Sequence, residues 1–221
     1  MTERVLYLIR HGQSDFDSEE VVSSPRGEQW DPPLSAEGRR QAELLGKRLL
    51  VMDPPAVVYS STMRRTRETI APFAAAAGIE VLEEPELIEA HIGEWERISF
   101  RDILLADQEL LHRVRHQEPV WRYAPGVEQL APFRERVRDA IERILERHPD
   151  GDVVVVCHGG VINAYLAPIM GVDHEMFFLP ENTSLNSIVV DGDARRVRFL
   201  NDVLHLTDPT LFEATAASDA S

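Results

Sequence analysis

Two stretches of this 221-residue chain share one design, and together they restrict the fold more than anything else in it. The first is Val5-Leu6-Tyr7-Leu8-Ile9-Arg10-His11-Gly12-Gln13-Ser14, an apolar run of strand length that stops at Arg-His-Gly and gives way to a polar, turn-forming segment. The second is Val153-Val154-Val155-Val156-Cys157-His158-Gly159-Gly160. Each reads as a buried strand that delivers its polar residues to its C-terminal end, and in open α/β sheets that end is where ligands bind. If the two strands run parallel in one sheet, His11 and His158 reach the same rim. Gly12 would let the backbone turn there and approach an anion closely.

The bulk properties narrow the class. The length suits one domain, or one domain with an inserted cap, and is ample for a substantial core. No apolar run approaches the roughly 20 residues needed to cross a membrane. The N-terminus lacks the basic start and apolar core of a signal peptide, so the expected location is cytoplasmic. The single cysteine, Cys157, allows no internal disulfide and agrees with a reducing compartment. A formal charge of −15 argues against nucleic acid or an anionic membrane as partner. Any attraction for an anionic substrate must therefore be local to a pocket. Lysine occurs once, at Lys47, and arginine supplies the other cations, most of which a GC-rich coding bias explains.

After Ser14, residues 15–33 read as a long loop, a feature that in compact domains is usually functional or mobile. A helix then opens at Leu34-Ser35, with Ser35 as N-cap, Glu37 in the first turn, and Ala42, Leu45, Leu49 and Leu50 on its core face. A strand over 56–59, a helix over 62–77 closed by Gly78, and a strand over 79–82 follow. Residues 85–95 look irregular, 100–117 helical, and 119–125 break the chain and present Trp121 and Tyr123. Phe133, Val137, Ala140, Ile141, Ile144 and Leu145 mark an amphipathic helix ending before Pro149. A helix over 160–170 comes after the second strand-His-Gly segment. Segments 187–190 and 197–200 then form a hairpin about Asp191-Gly192-Asp193, and a frayed tail starts at Thr207. The expected architecture is α/β, a three-layer αβα sandwich whose mostly parallel sheet carries helices on both faces. One domain would span residues 1–206, with a small helical cap inserted at 94–127 over the active rim and a tail over 207–221. The open edge of the hairpin would offer a surface for homodimer pairing.

Arg10-His11-Gly12 after the first strand, echoed by Cys157-His158-Gly159, resembles the phosphatase branch of the histidine phosphatase superfamily, the phosphoglycerate-mutase-like fold. Two further segments carry the resemblance. Ser60-Ser61-Thr62-Met63-Arg64-Arg65-Thr66-Arg67-Glu68-Thr69 is similar to the family's Ser-Ser-x-x-x-Arg-Ala-x-x-Thr, and Leu87-Ile88-Glu89-Ala90-His91-Ile92-Gly93-Glu94-Trp95-Glu96 to its Leu-x-Glu-x-x-x-Gly-x-Trp-Glu-Gly. The resemblance implies a histidine acid-phosphatase-type phosphoric monoester hydrolase, metal-independent and without cofactor. It would hydrolyse a small phosphorylated metabolite through a phosphohistidine intermediate. His11 would be the nucleophile, and Arg10 and Arg65 would fork onto phosphoryl oxygens. His158, protonated, would bind another oxygen. Glu89 would donate the proton to the leaving group and later deprotonate water. Helical spacing agrees with the choice of Arg65, since Arg64 and Arg67 share a face and Arg65 points elsewhere. Gln13, Ser14, Gly159 and Asn182 would complete the substrate contacts. Cys157 faces the other side of its strand from its neighbour and reads as core filler. The remaining histidines are too scattered for a metal site.

This chain departs from the family pattern at three places. Asp17, a further substrate-binding position, stands where the family often has an Asn that donates to phosphate; an acceptor-only carboxylate there is unfavourable unless protonated or paired. Arg97 replaces the Gly that usually follows Trp-Glu. Pro125-Gly126-Val127-Glu128-Gln129 is a looser form of Pro-Gly-Gly-Glu-Ser. Two alternatives stay open. A phosphoglycerate-type mutase goes, in the family, with an extra basic segment in a longer insertion, which this sequence lacks. A non-catalytic phosphate-binding or interaction protein would have no need of a proton donor. Trp30, Trp95, Trp121 and Tyr123 could wall a pocket for a ring or sugar, and buried cap aromatics would read the same way.

Overall fold

The computed structural model describes residues 3–24, 27–96, 98, 105–115, 124–174 and 176–213. Strand β1 (Arg4–Arg10) lies inside a six-stranded sheet, parallel to β6 (Val153–Cys157). On the far side of β6, β4 (Val57–Ser60) and β5 (Val81–Glu83) continue the parallel part, and on the other side of β1 the hairpin of β7 (Leu185–Asp191) and β8 (Ala194–Asp202) adds two antiparallel strands. The order is β5-β4-β6-β1-β7-β8. Four consecutive valines make β6 buried at every position, as a strand covered on both faces must be.

Alternation along β1 sorts its side chains between two helical layers. Tyr7 and Ile9 pack with Leu45 and Leu49 of α1 (Ala36–Leu50) and Ile70 and Phe73 of α2 (Arg64–Ala77). Leu6 and Leu8 face the other layer, α4 (Leu130–Arg147) and α5 (Gly159–Met170). Phe133, Val137, Ile141 and Ile144 form the buried stripe of α4, as their spacing requires. Phe133→Ala there should cost about 3–5 kcal/mol through lost burial and the cavity left behind. Ser35 caps α1 as expected, accepting the Gly38 N–H at 3.0 Å.

Several details differ from the sequence reading. Residues 21–24 and 27–30 are not loop: β2 (Val21–Ser24) and β3 (Gly27–Trp30) pair antiparallel as a small separate sheet. The alternation there is too weak to signal strands, and tertiary contacts decide. Leu50 lies past the core face of α1 and is 47% exposed. The chain does not fray at Thr207: α6 (Leu204–Thr207) and a 3-10 turn (Pro209–Phe212) continue it, with the Arg48 guanidinium over the Phe212 ring. Of the proposed cap, residues 97, 99–104 and 116–123 lie outside the described residues, and with them Arg97, Trp121 and Tyr123. Its described part holds the 3-10 turn Gly93–Trp95 and α3 (Gln108–Arg115).

Candidate active site

Strand register builds the site. Arg10 pairs with Cys157, so the next residue on each strand is a histidine, and the His11 N–H donates to the Cys157 carbonyl at 3.0 Å. The two imidazoles end with ring centroids 5.2 Å apart and planes inclined at 58°. On the other side of β6, the Ser61 N–H donates to the Val156 carbonyl, which brings the Ser61 hydroxyl 3.0 Å from His158 Nε2.

The His11 ring is held by its own neighbour. Nδ1 lies 2.8 Å from the Gly12 carbonyl, which can only accept, so Nδ1 carries the proton and Nε2 keeps a free lone pair. Burial first, and then the positive charges of Arg65 and Arg10, hold this imidazole well below its ordinary pKa; the Gly12 bond opposes them. Gly12 does not serve as a left-handed turn, having no positive φ. A Cβ there would sit 2.8 Å from the Gly38 carbonyl, so it is glycine because the start of α1 packs against it. Its N–H donates to Thr69 Oγ1 at 2.9 Å, which ties the strand exit to α2.

His158 is fully buried, and burial, Arg65 and the other ring lower its pKa well below the ordinary value. These surroundings disfavour the expected imidazolium. Its Nδ1 is a buried polar atom with no hydrogen-bond partner among the described residues, as is Arg10 Nε. The other end of the Arg10 guanidinium donates to the Pro180 carbonyl. A Cβ on Gly159 would lie 3.8 Å from Arg10 Nε, an ordinary contact, so the start of α5 packs close to that guanidinium. Arg65 is buried, as its place on the helix suggested. It donates to the Trp30 carbonyl at 3.0 Å and lies 3.4 Å from Asp31 Oδ1. Asp31 also accepts the Arg64 N–H with both oxygens at 2.9 Å, which supplies the cap that Met63 cannot give α2. Arg64 pairs outward with Glu20 and Glu68.

Glu89 is fixed by backbone. Its oxygens accept the Ala90 and Gly160 N–H groups, each at 2.9 Å. A Cβ on Gly160 would lie 2.4 Å from Glu89 Oε1, so glycine is required for this approach. The segment carrying Glu89 hangs from Arg136, which donates to the carbonyls of Glu86, Ile88 and Glu89 while a bidentate pair with Glu128 at 2.7 and 2.8 Å holds its guanidinium. Gln29 Nε2 adds a bond to the Glu89 carbonyl at 2.9 Å.

The other expected residues divide. Asn182 reaches the site, its Nδ2 donating to the His11 carbonyl at 2.9 Å. Ser14 is buried in a bridge with Leu34. Gln13 is exposed, with its N–H bonded to Gln41 and its side-chain oxygen to the Ser35 hydroxyl, so both groups serve α1. Asp17 is exposed, and its N–H donates to Asp15 Oδ1. Trp30 packs on Phe16 and donates to the Ser18 carbonyl. Cys157 is fully buried in the α4/α5 core, and burial pushes its thiol pKa up, as core filler requires. The sequence reading missed Ser61, Thr69, Arg136 and Glu128 as site-building residues. Ser61 and Thr69 were visible within a quoted motif, but nothing in the motif says what they bond.

The comparisons with known proteins decide the family. Residues 6–203 match the family model of the histidine phosphatase superfamily (branch 1). The chain belongs to this superfamily. Among its members, phosphoserine phosphatase 1 of Hydrogenobacter thermophilus is 32% identical over 203 residues, 91% of this chain and 93% of that protein. Phosphoglycerate mutase-like protein 4 of Arabidopsis thaliana is 27% identical over 216 residues, 97% of this chain and 92% of that protein. Among solved structures, Bacillus stearothermophilus YhfR superposes with a TM-score of 0.75 at 29% identity, covering 92% of this chain and 99% of that one. The three-layer α/β architecture, with its mostly parallel sheet, is that of the superfamily.

Proposed function

We propose that this member of the superfamily is a metal-independent phosphomonoesterase acting on a small phosphorylated metabolite. The observation that carries the reading is the His11 tautomer: a buried, neutral imidazole with Nδ1 bonded to a backbone carbonyl and a lone pair left on Nε2. That atom attacks phosphorus in line. The bond to the leaving oxygen breaks and Glu89 protonates that oxygen. Water then gives a proton to Glu89 and attacks, the His11–phosphorus bond breaks, and inorganic phosphate departs. Arg10 and Arg65 neutralise the phosphoryl oxygens, the task for which guanidinium forks are suited. The orphaned His158 Nδ1 donates to another oxygen in the tautomer in which the Ser61 hydroxyl donates to Nε2. Gly159 and Asn182 shape the floor, and Gln13, Ser14 and Asp17 border the entrance loop. The protein works in the cytoplasm.

The relatedness to phosphoglycerate mutase-like protein 4 favours a second reading, transfer to another hydroxyl rather than to water. One experiment separates the two. The protein is incubated with chelator and a panel of phosphomonoesters, phosphoserine and phosphoglycerates included. Released phosphate, isomerised product and acid-labile phosphoprotein are then quantified. Chelator-resistant phosphate release with a trappable phosphohistidine is expected. Isomerised product without phosphate release would establish the mutase, and neither product the binding protein.

A further inference from the structure

Thr183 is a β-branched residue at φ 59°, a conformation that bulky L-residues avoid unless their surroundings impose it. Its bonds account for it. The Thr183 N–H donates to the Arg10 carbonyl at 3.0 Å and reaches the His11 carbonyl at 3.4 Å. The side chain of the preceding residue, Asn182, donates to the same His11 carbonyl at 2.9 Å. The left-handed turn at Thr183 thus places two donors on the end of β1, at the residue proposed as nucleophile.

What holds the turn comes from the C-terminal segment. Thr183 Oγ1 donates its one proton to the Asn182 carbonyl at 2.7 Å and lies 3.0 Å from His205 Nε2. With the hydroxyl proton committed, Nε2 must be the donor, so His205 Nδ1 is an acceptor. Arg48 Nη1, which can only donate, faces Nδ1 at 3.4 Å. The guanidinium is in turn clamped by Asp202 at 2.8 and 2.7 Å. Asn201 closes the other end of the loop, accepting the Glu181 N–H at 2.6 Å. His205 is fully buried with both ring nitrogens occupied, so it has no atom to offer a substrate.

We propose that His205 is a positioning residue for His11, acting through Thr183 and Asn182 to fix the end of β1, with Arg48 and Asp202 setting its tautomer. Displacing the nucleophile should act on the chemical step more than on binding, because the Arg65 guanidinium is anchored on the Trp30 carbonyl, away from this loop.

The test uses Thr183→Val, His205→Ala, their combination and Thr183→Ser. The activity arm rests on the phosphomonoesterase reading and measures kcat and KM for 4-nitrophenyl phosphate. Thr183→Val and His205→Ala should each lower kcat by about 10- to 100-fold, with KM within about threefold. The double variant should be no worse than the weaker single one, since both cut one chain of bonds. Thr183→Ser, which keeps the hydroxyl, should recover most of the rate. Additive losses, a change confined to KM, or Thr183→Ser behaving as Thr183→Val would overturn the proposal. The second arm needs no turnover: imidazole 15N spectra, with His11 assigned from His11→Gln. His11 should shift in Thr183→Val while His148 does not, and an unmoved His11 refutes the positioning role. A shifted His11 in a protein that hydrolyses nothing would refute the phosphatase reading and leave this inference standing. If His205→Ala does not fold, the Thr183 pair alone decides.

Discussion

The two strand-His-Gly segments are close to copies in sequence and end side by side, yet their imidazoles are held by opposite nitrogens. His11 gives Nδ1 to the carbonyl of the very next residue, whereas His158 gives Nε2 to a serine 97 positions away. The first leaves Nε2 free and the second leaves Nδ1 free. In the proposed mechanism the free Nε2 of His11 attacks and the free Nδ1 of His158 donates, although burial holds down the pKa of both rings. Which nitrogen faces the rim follows from which neighbour occupies the other one, a detail that residue identity does not carry.

The largest effect should separate the rings. His11→Ala should cost at least about 10⁴-fold in kcat and abolish phosphoprotein formation. His158→Ala should cost about 10²- to 10³-fold, the scale for removing one donor to a charged transition state, and still form phosphoprotein. Rapid-quench measurement of labelled protein distinguishes them; equal losses with no trapped intermediate in either variant would break the comparison.

The glycines of the two segments should also part ways. At Gly160 an added Cβ meets the Glu89 carboxylate, so Gly160→Ala should lower kcat by about 100-fold with the fold intact. At Gly12 the added Cβ meets backbone, and Gly12→Ala should instead cost about 1–3 kcal/mol in denaturant unfolding. A smaller change sharpens the His158 half. Ser61→Ala frees Nε2 and should lower kcat by about tenfold, the worth of one buried hydrogen bond, while shifting the 15N resonances of His158 alone.

The last expectation concerns pH. Both rings resist protonation in the native state, so below about pH 6.5 the unfolded chain binds protons that the folded chain refuses. Stability is therefore full above that pH and lost as pH falls toward the lowered native values. The slope is about 1.4 kcal/mol per unit for each histidine. His205 belongs to the same class, held at about 4 by burial and Arg48 against the opposing pull of Asp202. Denaturant midpoints between pH 4 and 7 should thus flatten by one histidine's share in His158→Gln, and an unchanged slope would place that ring's proton elsewhere.

Much of the molecule was legible from residues alone. Val5–Ile9 and Val153–Val156 read as buried strands because no other element buries so continuous an apolar run in so few residues. The stripe from Phe133 to Leu145 read as a helix from its period. Arg65 was singled out from three neighbouring arginines by the resemblance to the family's segment, and helical spacing agreed with that choice. The β2–β3 pair was not legible, since its four-residue strands carry no alternation strong enough to compete with a loop composition.

What the sequence by itself determined is therefore the class of fold, the rim at which chemistry gathers and the residue types gathered there. These follow from periodicity and side-chain chemistry, which are local. Tertiary structure alone decided how these groups stand against one another. The β1–β6 register set the two rings 5.2 Å apart, and the Ser61 hydroxyl chose the free nitrogen of His158. The bare α5 N-terminus admitted Glu89. His205, from a stretch next to a presumed tail, became a support of the first strand. Each of these is a contact between segments far apart in the chain. A hydrogen bond's direction depends on both partners, and a sequence names only one at a time.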